Sequence, residues 1–259
     1  MLRERVLKFE LKVFTSYVTL IAVAEVVTAF VDPAYGLLAH SVIMVSLLVL
    51  PAFWRENPSS GLFLSLSLAP LIRILSLSLP FAYLPRYAWF LVTSVPVFAA
   101  TFALMKVQGL GLADVGITFR KPLTQACISL TGVPFGIVEY YILKPEPLAP
   151  SLSALGLALL AAGIILSTGF AEELVFRGVM LKSAVEALGE KMGIVGVSAI
   201  FASLHVGWLS ALDIVFVFSI GIFFATLALK TGSIVGVSLS HGLTNILLFL
   251  LMPNVAQGL

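Results

Sequence analysis

Nine apolar runs separated by short polar breaks order the chain, at about 13–31, 36–54, 61–83, 87–105, 123–143, 152–176, 192–206, 209–229 and 232–252. Most reach the roughly 20 residues an α-helix needs to span hydrocarbon, so the pattern predicts an all-α, polytopic transmembrane bundle of eight or nine helices. Two runs are weaker. The 61–83 run is interrupted by Pro70, Arg73 and Pro80, and 192–206 is short for a full crossing, so kinked or partly immersed segments are expected there. The longest polar interval, about 106–122, carries few charges, and no repeat or low-complexity tract marks a boundary. Residues 1–259 read as a single membrane-embedded domain.

Composition agrees with the pattern, since 60% of residues are hydrophobic and 11% charged. The bilayer is therefore the first expected partner. A net charge of +2 without a basic block gives no footprint for nucleic acid. Arg3, Arg5, Lys8 and Lys12 precede the first run, whose apolarity continues past Ala22-Val23-Ala24 to Val31, so a retained first helix is expected in place of a cleaved signal. With the N-terminus cytoplasmic, nine spans put Arg55, Lys106, Arg120, Lys121, Lys182, Lys191 and Lys230 inside and only Arg86 and Lys144 outside. The lone Cys127 forms no intrachain disulfide or Cys-rich metal site and reads as packing. No cofactor is expected.

Against this apolar background, Glu172, Glu173 and Arg177 stand at the end of the sixth run. Ionisable groups at membrane depth are costly and are by default functional, although a charge cluster where a helix leaves the membrane would have the same composition. On a helix, Glu173 and Arg177 are four apart and share a face, whereas Glu172 lies about 100° around. The two acids should therefore have different jobs, Glu173 neutralising Arg177 and Glu172 facing another partner. His205 and His241 sit in later apolar runs, and Asn245 follows His241 by four, on the same helical face. Glu25, Arg73, Glu139 and Asp213 are isolated and read as pairing across the bundle or lying at an interface; His40 reads as interfacial. Trp54, Trp89 and Trp208, near run ends, read as interface anchors.

Depth tests whether these groups meet. Glu172 lies about 21 Å in from Glu186, His205 about 18 Å from Gly193 and His241 about 14 Å from Gly232, all measured from helix ends assigned to the cytoplasm. One polar cavity opening to the cytoplasm is expected. A carboxylate, two imidazoles and an amide suit water activation, with Glu172 taking a proton, His205 holding the water, and His241 with Asn245 donating to a developing oxyanion. Two other readings use the same residues. Glu172, His205 and His241 are also a ligand set for a zinc hydrolase, and a non-catalytic transporter or immunity protein would use them as a binding site or proton path.

Glu172-Glu173-xxx-Arg177, Phe201-xxx-His205 and His241-xxx-Asn245, on three helices in this order, resemble the CaaX prenyl endopeptidases and the wider CPBP (Abi) group of intramembrane glutamate proteases. The resemblance covers about residues 150–250, and the segment 111–116 is similar to a loop that often precedes the core in that group. It implies a peptide-bond hydrolase acting on a protein or peptide substrate, in the prenyl-processing branch by removing the last three residues after a lipidated cysteine. It further implies Glu172 and His205 as water activators, His241 and Asn245 as oxyanion donors, Glu173, Arg177 and Phe201 as supporting groups, and no metal.

Overall fold

The computed structural model describes residues 2–53, 59–79, 83–149 and 153–256; Trp54, Arg55 and Pro80 lie outside the described residues, as do the side chains of Arg3 and Arg5. Among the described residues there is no strand, and nine helices are long and apolar enough to cross a membrane. They are α1 (Lys8–Phe30), α2 (Pro33–Pro51), α3 (Ser60–Ser78), α4 (Arg86–Val107), α5 (Pro122–Leu143), α6 (Leu155–Leu188), α7 (Glu190–Trp208), α8 (Ala211–Thr231) and α9 (Val235–Ala256). The chain is thus an integral, multi-pass membrane protein.

Both weak runs show the irregularity that the sequence announces. In α3 the helix breaks at Ser67, three residues before Pro70, whose ring removes the donor that would have bonded the carbonyl of Leu66. In α7 the α-helix stops at Ser203, and the chain continues through a turn into a 3-10 turn at Val206–Trp208. A helix ending at membrane depth leaves carbonyls that need donors. One is supplied from α3, because Arg73 Nη2 donates to Leu204 O at 2.7 Å.

The sixth apolar run ends near 176, but the helix itself continues to Leu188, 34 residues in all, close to the end at Glu186 from which the depth of Glu172 was counted. Apolarity fades after Arg177, yet Lys182 and Glu186 pair at 2.6 Å across one turn and carry the helix onward. Two π-helical stretches, Ile165–Phe170 and Leu174–Met180, enclose the single α turn Ala171–Glu173. Such widened turns recur at functional sites because they re-aim side chains that a regular helix would stack.

Small residues set the packing of α9, the most buried of the nine helices. A Cβ on Gly169 of α6 would collide with Ser238 O, and one on Gly242 of α9 would lie 2.8 Å from Ile165 Cα. On the other flank, a Cβ on Gly132 of α5 would collide with Ser240 O, and one on Gly136 would lie 2.6 Å from Thr244 O. Within lipid, helices associate through close van der Waals contact, and these four glycines let α5 and α6 grip α9 backbone to backbone. The loop holding Gly111–Gly116 docks beneath them: Asp114 Oδ2 accepts from Gly111 N at 2.8 Å, and Gly116 O accepts from Ile234 N at 2.8 Å.

Several isolated residues acquire partners. Glu25 of α1 takes Arg73 Nε at 2.8 Å and Nη2 at 2.7 Å, which matches the expected pairing across the bundle. His40, read as interfacial, is instead fully buried with Nε2 3.3 Å from Glu25 Oε1, without hydrogen-bond alignment. Cys127, read as packing, lies on the exposed face of α5.

Candidate functional site

The turn Ala171–Glu173 sends its two carboxylates in different directions. Glu173 is fully buried; its Oε1 accepts from Arg177 Nη1 at 2.8 Å and from His241 Nδ1 at 2.9 Å. The Glu173–Arg177 pairing follows the spacing of four, but the bridge to His241 was not legible in sequence, since it depends on the glycine contact between α6 and α9. Glu172 has a side chain 31% exposed and approaches the opposite edge of the same imidazole, Oε2 to His241 Nε2 at 3.9 Å. His241 therefore stands between a buried carboxylate and an accessible one.

Arg177 is enclosed by aromatic faces as well as by its anion. Its guanidinium carbon lies 4.3 Å from the Phe201 ring centre and 5.7 Å from that of Phe224. The Phe201 ring also meets His241 edge-on, with centroids 5.8 Å apart and planes at 89°. Cation–π contact in a dry setting is worth about 2 kcal/mol, so the rings complete a cage that water would otherwise supply. Phe224, which the sequence did not single out, is part of that cage.

The turn that ends α7 presents His205. Its Nδ1 is 3.0 Å from Phe201 O, and because a carbonyl only accepts, the assignable tautomer carries its proton on Nδ1 and a lone pair on Nε2. Asn245, one turn beyond His241, donates from Nδ2 to Thr168 Oγ1 at 2.9 Å; Thr168 in turn donates to Ile164 O at 2.8 Å. That bond uses one amide N–H and leaves a second. Thr168 lies four residues before Glu172 and was missed in sequence, where a threonine in an apolar helix carries no signal until its partner is known.

Glu172, His205, His241 and Asn245 all line one cavity of about 410 Å³, a size typical of small-ligand sites. Thr168, Phe201, Arg73 and Glu139 share the lining, which is otherwise largely apolar and aromatic. Glu173 and Arg177 stand behind this wall. Glu139 is buried on α5. Asp213 is buried in the first turn of α8, where a carboxylate complements the helix dipole. Among the described residues no three His, Cys, Asp or Glu side chains are disposed to hold one metal ion.

Leu77, Trp89 and Trp208 also belong to the cavity lining, so two of the tryptophans read as interface anchors border the site.

Comparison with known proteins adds one finding. The family described as Rce1-like, type II CAAX prenyl endopeptidase, matches residues 154–247, just over a third of the chain and the whole of the segment carrying Glu172 to Asn245. No curated protein and no solved structure matches.

Proposed function

We propose that this chain, whose residues 154–247 match the family described as Rce1-like, type II CAAX prenyl endopeptidase, hydrolyses a peptide bond within the membrane by a glutamate-activated water and releases the C-terminal tripeptide of prenylated CaaX-type substrates. The observation that supports this most is the meeting of Glu172, His205, His241 and Asn245, from three helices, on one cavity wall.

Each group has a role consistent with its hydrogen bonds. The Glu172 carboxylate and the His205 Nε2 lone pair are two acceptors for one water. As the water oxygen attacks the carbonyl carbon, its proton passes to Glu172 and the carbonyl electron pair moves onto oxygen. That oxyanion receives the free Asn245 N–H and, from His241 in its doubly protonated form, Nε2–H. Glu173 on Nδ1 holds the imidazole in place, as a buried carboxylate does in other hydrolytic sites. Collapse breaks the C–N bond, and the proton on Glu172 goes to the departing amine. The apolar lining excludes bulk water and offers a surface for an isoprenoid chain.

The test is incubation of purified protein with a farnesylated CaaX peptide, followed by mass measurement of the products. Loss of the last three residues is expected, and Glu172→Gln should lower turnover by about 10²–10⁴-fold with the fold retained. No cleavage by the wild-type protein, or wild-type turnover by Glu172→Gln, overturns the reading.

A further inference from the structure

We infer that Arg73 binds the α-carboxylate at the C-terminus of the peptide substrate. The inference rests on the function proposed above and assigns the far end of the same substrate. Arg73 is the only lysine or arginine among the described residues lining the cavity. The other ionisable groups on its wall are the carboxylates Glu139 and Glu172 and the two histidines, so negative charge on a ligand has one permanent cation to meet.

A guanidinium has five N–H donors in a rigid fork. In Arg73, Nε donates to Glu25 Oε1 at 2.8 Å and Nη2 to Leu204 O at 2.7 Å, while Nη2 also lies 2.7 Å from Glu25 Oε2 in an ion pair. These bonds tie down one edge of the plane. Nη1 and its two N–H groups have no partner among the described residues, and the side chain is 18% exposed on the cavity wall. Arg177, by contrast, is sealed behind the cavity wall against Glu173 and two aromatic rings, out of reach of a ligand. Arg73 is instead anchored with one pair of donors presented to the cavity, the preorganised arrangement that suits a carboxylate.

Reach agrees with this assignment. Arg73 touches the carbonyl of the residue preceding His205, which keeps the guanidinium within roughly 10 Å of the His205 ring. Three residues of extended peptide beyond a scissile bond also cover roughly 10 Å. A water at His205 and a carboxylate at Arg73 therefore mark the two ends of a tripeptide leaving group, and the same contact explains selection for a free chain end.

The test compares two farnesylated CaaX peptides, one ending in a free acid and one in a carboxamide, on wild-type protein and on Arg73→Gln. Wild-type kcat/KM should fall about 10–100-fold on the amide, mostly through KM, as expected for a lost charge-assisted hydrogen bond. Arg73→Gln should lose a similar factor on the acid and little further on the amide. Equal cleavage of acid and amide by the wild-type protein overturns the carboxylate site while leaving the proposed function intact, and this arm needs no variant to fold. Equal losses on both peptides in Arg73→Gln would instead make Arg73 a support for the Leu204–His205 turn. Cleavage of neither peptide by the wild type removes the function and this inference together.

Discussion

Replacing Glu173 with Gln preserves the volume of a fully buried side chain while removing the anion paired with Arg177. The Arg177 side chain is 1% exposed, and its Nε and Nη2 have no hydrogen-bond partner among the described residues. Without Glu173 it retains chiefly the faces of Phe201 and Phe224, worth about 0.5–2 kcal/mol. Breaking a buried pair from one side costs about 3–5 kcal/mol, a large part of the roughly 5–15 kcal/mol that holds a typical fold. Arg177→Met should cost less, about 1–3 kcal/mol, because Glu173 keeps the His241 Nδ1–H bond at 2.9 Å. The double variant should be more stable than the sum of the two losses by about 1–3 kcal/mol. It should nevertheless stay inactive, since His241 has lost the carboxylate that fixes its orientation. The measurement is reversible unfolding in mixed detergent micelles, followed by helix content, with peptide cleavage as a second readout on the same preparations. Strict additivity, or Arg177→Met proving the more damaging single change, refutes the reasoning.

Asn245→Ala should lower kcat by about 10²–10³-fold with a much smaller change in KM, as measured by steady-state cleavage, because an oxyanion donor acts chiefly in the transition state. Thr168→Val removes the acceptor that orients the Asn245 amide, together with the hydroxyl's bond back to Ile164 O, and a smaller kcat loss, about 5–50-fold, is expected; wild-type kcat in this variant would show that the amide needs no anchor. If Glu172 and His205 hold water directly, purified protein should contain far less than one equivalent of zinc by elemental analysis and keep its activity in o-phenanthroline. Stoichiometric zinc together with chelator inactivation reversed by added zinc would move the chain to the zinc hydrolases.

Local chemistry was readable from the sequence wherever it depends only on distance along one helix. Apolar length gave eight or nine spans, of which the described residues show nine, because hydrocarbon thickness imposes the same requirement on every helix. A spacing of four paired Glu173 with Arg177, a step of one turned Glu172 away, and Pro70 located the break in α3. The extension of α6 to Leu188, taken as far as Glu186 in the depth count, is carried by the Lys182–Glu186 pair after hydropathy falls past Arg177.

What passes between helices was settled only by packing. Gly169 and Gly242 look like unremarkable members of apolar runs, yet their contact determines that His241 reaches Glu173 and that Asn245 reaches Thr168. The meeting of Glu25 with Arg73 and His40, residues 15 to 48 positions apart, is likewise invisible to periodicity. A sequence fixes which groups share a turn through covalent geometry; which groups share a cavity depends on how closely backbones approach, and in this protein a few missing Cβ atoms decide that.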